Sequence, residues 1–324
     1  MHCKLCENIT QYEIKSSGFE NDNRLYEVHI CSECGMGITY PQPSRSQIDR
    51  LYSAEKYRDH QSRFILPIEK LVRFFRKARK KQIEYFIKNG RILDLGCGRG
   101  IFLLTMKAGG WETHGLELNE ETAQYAREGL VLDIKTVSLR EAKFADNYFD
   151  VIVIWHVLEH LSDPIETIEE CRRILKSGGL LVVAIPNFES FQAKISGSHW
   201  FHLDIPYHLY HFTLKNLKLV LEKNSFKIVK TRHFSFEFNP FGCLQSFLNM
   251  CHIEHNLLYN VLKSRSLRKS AFPKTGSLKL FSGLVITVLI STFMVPLSLI
   301  FSVIESLFKR GGTLETYAIK AELK

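Results

Sequence analysis

The stretch Arg91-Ile92-Leu93-Asp94-Leu95-Gly96-Cys97-Gly98-Arg99-Gly100 constrains this chain more than any other. Residues of buried-strand character run into a loop with glycine at alternate positions, and a helical pattern begins at Ile101. Glycine lets a backbone turn sharply and come close to a ligand. A strand–loop–helix unit also aims a helix N-terminus at whatever the loop holds. A dinucleotide fingerprint needs glycine at the first, third and sixth positions. Here those positions are Gly96, Gly98 and Ile101, so the third requirement fails.

The pattern of strands and helices continues downstream. Thr113 to Glu117 reads as a second strand, and a carboxylate at that strand end can accept hydrogen bonds from both hydroxyls of a ribose. Glu120 to Glu128 reads as a helix and Leu132 to Val137 as a third strand. Phe149 to Ile154 is a near-continuous apolar run, as expected of a strand buried on both faces. Ser162-Asp163-Pro164 suits the start of a helix, and Lys176-Ser177-Gly178-Gly179 a tight turn. Leu180 to Ile185, Phe226 to Phe234 and Thr313 to Leu323 supply the remaining strands. Ligands of open α/β sheets bind at the carboxyl ends of strands, which brings Trp155 and His156 beside any cofactor.

Asp94-Leu95-Gly96-Cys97-Gly98-Arg99-Gly100 resembles motif I of the class I S-adenosylmethionine (SAM)-dependent methyltransferases. The resemblance continues in order through Glu117, Asp150, Gly178-Gly179 and Pro186-Asn187, and covers roughly Arg91 to Phe234 with a short return at the C-terminus. It implies a Rossmann-like α/β fold with a seven-stranded sheet in the order 3-2-1-4-5-7-6. It also implies SAM as the cofactor. On the matching positions, Asp94, Gly96, Cys97, Gly98 and Gly100 would form the cofactor loop and Glu117 with Leu118 would hold the ribose. Ser138 and Leu139 fall where the family contacts adenine, and Trp155 with His156 would line the site. Asp204, Pro206, His208, Phe212 and Thr213 match a D-x-P-x-H-x-x-x-F-[ST] stretch of bacterial methyltransferases found near surface-polysaccharide and lipid-glycan genes. That match implies a hydroxyl or sugar carbon on a glycan or lipid-linked intermediate as the acceptor.

SAM carries its methyl group on a sulfonium, so the protein mainly has to align the acceptor and exclude water. An oxygen or carbon acceptor must also lose a proton, most often to a histidine. His156 and His208 are the candidate bases, within a chain whose 199–213 stretch is dense in histidine and aromatic residues. A second arrangement would hold a divalent metal on His156, Glu159, His160 and one downstream histidine, because some RNA- and quinone-methylating relatives use a carboxylate–histidine set there.

Cys3-x-x-Cys6 and Cys31-x-x-Cys34 are separated by 24 residues. Two such knuckles suit a tetrahedral Zn²⁺ held by four thiolates. A ribbon this small lacks a sufficient core, so the metal would supply its folding energy. It carries Lys4, Lys15 and Arg24 against Glu7, Glu13, Glu20, Asp22, Glu27 and Glu33, which disfavours nucleic acid as a partner. The opening residues lack a signal-peptide pattern, and a reducing, cytoplasmic compartment is the expectation.

The net charge of +9 is largely local. Glu69 to Lys81 holds seven basic residues and one acidic, and Lys263 to Lys279 six basic and none acidic. The first run reads as a helix whose apolar face includes Val72, Phe75 and Ile83, with Arg73, Arg76, Lys77, Arg79, Lys80 and Lys81 on a solvated face. Between the sixth and seventh strands lies an insertion, Ser235 to Gly312, where a short hairpin is usual. Leu280 to Ile304 within it is 25 residues without a charge, long enough to cross a bilayer. A single crossing conflicts with the last strand's return to the sheet. Pro296 would divide the helix into two pieces, giving a kinked or re-entrant anchor, and the basic run Ser264 to Lys269 could meet anionic lipid. The expected division is therefore 1–40 zinc ribbon, 41–88 linker and basic helix, 89–235 SAM-binding core, 236–312 membrane-associating insertion and 313–324 final strand. The protein would work at the inner face of the membrane. A non-catalytic scaffold for envelope-glycan assembly and an RNA methyltransferase are the alternatives.

Overall fold

The computed structural model describes residues 3–6, 12–21, 24–44, 47–48, 66–251, 254–263 and 278–322. The basic run Ser264 to Lys269 lies outside the described residues. In chain order the elements are β1 (Tyr12–Asn21), β2 (Arg24–Cys31), β3 (Gly37–Tyr40), α1 (Leu66–Glu84), β4 (Arg91–Leu95), α2 (Ile101–Lys107), β5 (Glu112–Leu116), α3 (Glu120–Gln124), β6 (Asp133–Lys135) and β7 (Phe149–Trp155). They continue with α4 (Pro164–Ile174), β8 (Leu175–Pro186), α5 (Phe191–Ser196), β9 (Tyr210–His211), α6 (Leu214–Lys223), β10 (Phe226–Arg232), α7 (Asn239–Met250), α8 (Leu257–Lys263), α9 (Leu278–Leu307) and β11 (Thr313–Lys320).

The main sheet has seven strands in the order β10-β11-β8-β7-β4-β5-β6. Counting only these strands from the β6 edge, the order is 3-2-1-4-5-7-6. β4, β5, β6, β7 and β8 run parallel, and β11 is antiparallel to both β8 and β10. Successive side chains of a strand point to opposite faces, and the sheet therefore has two cores. Leu93, Ile152, Ile154, Leu181 and Val183 pack on one side with Ile168, Cys171 and Ile174 of α4 and Leu217 and Val220 of α6. Ile92, Val151, Val153, Leu180 and Val182 pack on the other with Ile83 of α1 and Phe102, Leu103 and Met106. Lys176 to Gly179, expected as a turn that precedes the strand, is an irregularity inside β8, whose pairing with β7 jumps from Leu175 to Leu180.

A second sheet, β1-β2-β3-β9, carries the four cysteines at one end. Its fourth strand is Tyr210–His211, a piece of the 199–213 stretch.

The insertion forms α7, α8 and α9. α9 is a single helix with Pro296 inside it, not two pieces. Its 30 residues make it about 45 Å long. Its polarity is inverted relative to a helix of a soluble protein. Among its described residues the buried ones are Thr287, Ser298, Ser302 and Glu305, all polar, whereas Leu289, Phe293, Ile300 and Leu307 are exposed. The facing helix α7 buries Asn239, Gln245, Ser246 and Asn249.

Candidate active site

The loop after β4 turns the chain onto α2 with Gly96, Gly98 and Gly100 all at positive φ, +72°, +52° and +71°. A Cβ on Gly96 would strike Val157 at 2.4 Å, so only glycine fits there. A Cβ on Gly98 would meet nothing within 4 Å. Gly98 therefore borders open space at the carboxyl end of the sheet. Glu117 reaches across to it: Oε2 accepts from the Gly98 N–H at 3.0 Å, and Oε1 accepts from the Asn119 N–H at 2.9 Å. Each carboxylate oxygen has two lone pairs, so this bonding fixes the carboxylate without exhausting its acceptors. Leu118, 67% exposed beside it, presents an apolar surface. The Cys97 thiol turns away into the packing beneath the loop, where a Cβ on Gly115 would lie 2.8 Å from its sulfur. Cys97 contributes its backbone N–H, which donates to the Leu116 carbonyl at 3.0 Å. Ser138 is engaged locally, its N–H and hydroxyl both donating to Glu141, and Leu139 is buried in the core.

Asp94 is buried at the end of β4. Burial pushes its carboxyl up to about 7, against the opposing pull of the Arg79 and Arg76 guanidiniums. Arg79 corrects the sequence reading. It is 7% exposed rather than solvated, with its guanidinium 3.4 Å from the Trp155 ring centroid. Seven residues after Val72 and four before Ile83, it falls on the buried stripe of α1, not on the basic face. Glu237 from the insertion holds it: Arg79 Nη2 donates to Glu237 Oε2 at 3.3 Å, and Arg76 Nη1 donates to both Glu237 oxygens at 2.7 Å. No motif marks Glu237, because its role depends on where the insertion folds.

On the other side of the β7 end lies a cluster of titratable groups. His156 adopts φ +53°, a region costly for a non-glycine residue. Its ring packs at a tilt of 38° against Phe238, 4.1 Å between centroids, and its Nδ1 is 3.3 Å from Glu159 Oε1. Glu159 is 1% exposed, and neither of its oxygens has a hydrogen-bond donor in the described structure. His160 Nδ1 donates to the Tyr207 carbonyl at 3.0 Å, and His208 Nδ1 donates to the His202 carbonyl at 2.9 Å. A carbonyl can only accept, so both neutral rings carry Nδ1–H and present Nε2 as the acceptor. Ligand atoms of Glu159, His160 and His208 all lie within 4.8 Å of one another. The two histidines picked out in the sequence thus flank one buried carboxylate, His156 on one side and His208 with His160 on the other. Burial lowers His156 to about 3 and His160 and His208 to about 4, and raises Glu159. The histidines are neutral near pH 7. The 199–213 stretch is wall rather than lid, since Trp200, His202, Leu209, Tyr210, His211 and Phe212 are all buried.

At the ribbon, the Sγ atoms of Cys3 and Cys34 lie 3.6 Å apart, and those of Cys6 and Cys31 3.7 Å apart. A disulfide needs about 2.05 Å, whereas a tetrahedron of Zn–S bonds of about 2.3 Å spaces sulfurs about 3.8 Å apart. The four sulfurs fit a metal.

A sheet of this order, a glycine loop and an acidic residue at the second strand end together define a SAM-dependent methyltransferase. A family model described as "Methyltransferase domain" matches residues 60–231, just over half of the chain, and the chain belongs to that family. It is similar to the ubiquinone biosynthesis O-methyltransferase of Cereibacter sphaeroides, 32% identical over 117 residues, which are 34% of this chain and 47% of that one. It is also similar to the enzyme of that name from Bordetella pertussis, 28% identical over 160 residues, covering 46% of this chain and 66% of that one. The chain spans about half the length of the Cereibacter relative. Among solved structures it resembles a SAM-dependent methyltransferase from Archaeoglobus fulgidus, with 24% identity, a TM-score of 0.48 and coverage of 76% of this chain and 94% of that one.

Proposed function

We propose that this methyltransferase transfers a methyl group from SAM to a hydroxyl of a small, lipid-linked acceptor at a membrane surface. The observation that carries the reading is the pairing of two half-sites across the end of β7. Glu117, Gly98 and Asp94 suit the cofactor on one side, and His208 Nε2 with Glu159 suits proton removal on the other. Bound SAM supplies an activated methyl on a sulfonium. The chain's own residues hold the ribose (Glu117), cover the adenine (Leu118) and set a carboxylate against the amino-acid end (Asp94). His208 or His156 takes the acceptor proton. The relatives named above are O-methyltransferases by name, which favours oxygen over a sugar carbon. A glycan hydroxyl on a lipid carrier remains within this class.

A second reading of the acceptor side has a specific observation in its favour. Both oxygens of the buried Glu159 lack donors, and His160 and His208 turn Nε2 toward acceptor duty while Nδ1 is anchored on backbone carbonyls. That is how metal-ligating histidines are held. A divalent cation on Glu159, His160 and His208 would polarise the acceptor oxygen.

The four cysteines bind Zn²⁺ in this reading, and the outward apolar face of α9 sits in the cytoplasmic leaflet, with Lys309 just past its end available to anionic headgroups and Arg310 paired with Glu189. The ribbon's acidic balance makes nucleic acid a poor partner. The test is calorimetric titration of detergent-purified protein with S-adenosylhomocysteine, beside Glu117→Ala, followed by transfer assays on hydroxyl acceptors with and without a lipid tail. Micromolar binding lost in the variant, and turnover that requires the tail, is the expected result. Absence of binding by well-folded protein would return the scaffold alternative to first place.

A further inference from the structure

The four-cysteine ribbon forms a sheet whose last strand, β9, begins two residues after the candidate base His208. β3 begins three residues after Cys34, and its knuckle is closed by Cys31 N–H to the Met36 carbonyl and Gly35 N–H to the Cys31 carbonyl, both 2.9 Å. β3 then pairs antiparallel with β9, Ile38 opposite Tyr210 and Gly37 opposite His211. Thr39 N–H donates to the Leu209 carbonyl at 3.1 Å. The Thr39 hydroxyl, fully buried, donates to the carbonyl of His208 itself at 2.5 Å. A hydroxyl has one hydrogen, so the 3.0 Å contact between Thr39 Oγ1 and His211 Nε2 is a bond donated by His211. Leu209 N–H in turn donates to the Glu159 carbonyl at 2.8 Å. The first knuckle is tied to the same neighbourhood: Lys4 Nζ donates to Asp163 at 2.6 Å and to the Ser162 carbonyl at 3.3 Å, and Tyr210 Oη donates to that carbonyl at 3.1 Å.

We propose that the metal-bound ribbon is a clamp that positions His208 against Glu159, with Thr39 as the positioning residue that transmits it. This rests on the reading of the four cysteines as a Zn²⁺ site. β9 is two residues long; Leu209 N–H to the Glu159 carbonyl and Phe188 N–H to the Phe212 carbonyl tie this segment to the core, and β3 covers its other edge. Met36 and Ile38 pack in the main core, and the knuckle of Cys31 and Cys34, one end of β3, is the part that the metal would fix. Loss of the ion therefore loosens the β3 side of the peptide on which His208 is mounted. The cofactor half-site, on β4 and β5, takes no hydrogen bond from the ribbon among those described above. The clamp thus acts on the acceptor side alone.

The experiment uses the full chain labelled with ¹³C,¹⁵N-histidine, with the His208 imidazole signals assigned through His208→Gln. Zinc is measured directly, then stripped with a mercurial reagent and chelator. The expected result is one zinc per chain and, on its removal, displaced or broadened His208 and His211 signals. The His114 signal, on β5, and S-adenosylhomocysteine affinity stay unchanged. A chain purified without zinc overturns the zinc reading and the clamp together. Zinc present, with His208 signals unmoved by its removal, overturns the clamp alone. Should stripping unfold the whole chain, Thr39→Val decides, since it removes the hydroxyl at nearly constant volume and keeps the metal. Displaced His208 signals in Thr39→Val, restored in Thr39→Ser, support the clamp. Unmoved signals in Thr39→Val overturn it.

Discussion

If Asp94 faces the amino-acid end of the cofactor as proposed, its buried carboxyl gives cofactor binding a defined pH dependence. Its ordinary value of 3.8 is raised to about 7 by burial, an effect that the nearby guanidiniums reduce but do not cancel. The amino-acid end of S-adenosylhomocysteine carries an ammonium group, which favours an ionised Asp94 beside it. Binding then drives off the proton of any protonated Asp94. The ionised fraction in the free protein is about one-eleventh at pH 6 and about ten-elevenths at pH 8, so affinity is about tenfold weaker at pH 6 than at pH 8. The histidines do not interfere, because burial lowers His156 and His202 to about 3 and His160 and His208 to about 4, all outside this window. Calorimetry at pH 6, 7 and 8, in two buffers of different ionisation enthalpy, measures affinity and proton release together. Asp94→Asn binds more weakly and with a flat profile. Equal affinity at pH 6 and 8 in the wild type, or a slope that survives in Asp94→Asn, refutes the reasoning. The sign for stability is opposite. A folded value above the unfolded one means the native state holds the proton more tightly, so this group's contribution falls as pH rises from about 4 through about 7. Ligand-free Asp94→Asn should therefore melt higher than wild type at pH 8.

Glu117→Ala removes a carboxylate that accepts two backbone N–H bonds and, in the proposed function, the ribose hydroxyls of the cofactor. At about 1.5–3 kcal/mol for each hydrogen bond to a charged group, S-adenosylhomocysteine affinity should fall at least tenfold (roughly) in calorimetry while the fold persists by circular dichroism. His208→Ala and His156→Ala are each expected to slow methyl transfer with little change in cofactor affinity; full turnover in both would remove the base assignment. Phe293→Glu replaces a ring that is 74% exposed on the apolar face of α9. Burial of such a ring in lipid contributes about 1.5–3 kcal/mol, so flotation with anionic vesicles should weaken by about tenfold or more, and unchanged flotation would count against the membrane assignment.

The parallel core was legible because its signals are local. Arg91 to Gly100 encodes a strand, a glycine turn and a helix start within ten residues, and Phe149 to Ile154 has the unbroken apolar character that burial on two faces demands. Glu117 was legible because its place is fixed by a strand end. Arg79 was not, because a basic residue on a basic helix reads as solvated unless its partner is known, and that partner, Glu237, is 158 residues away in the chain. The partition of the 199–213 histidines was hidden for the same reason: only the folded chain shows that His208 meets Glu159 while His211 turns to Thr39. Pro296 misled the reading of α9 because a proline costs one backbone bond and a steric clash, a local penalty that a 30-residue helix tolerates.

The insertion is more than an apolar appendage. Its first turn carries Glu237, which holds Arg79 over Trp155, and Phe238, which packs against the His156 ring. Its last turn carries Glu305, whose Oε1 accepts from Gln192 Nε2 at 2.6 Å and from the Gly312 N–H at 3.0 Å, one residue before β11 begins. One end of the segment is therefore fixed to α1 and to His156 after β7, and the other to α5 and the start of β11. Between them, among the described residues, α9 turns Thr287, Ser298, Ser302 and Glu305 inward and Leu289, Phe293, Ile300 and Leu307 outward. A soluble protein would gain by reversing that choice, since each large apolar side chain left in water forgoes about 1.5–3 kcal/mol. The inversion is what the proposed membrane surface would favour. Under the proposed function, a segment that supplies both that face and one wall beside His156 would favour an acceptor that arrives from lipid.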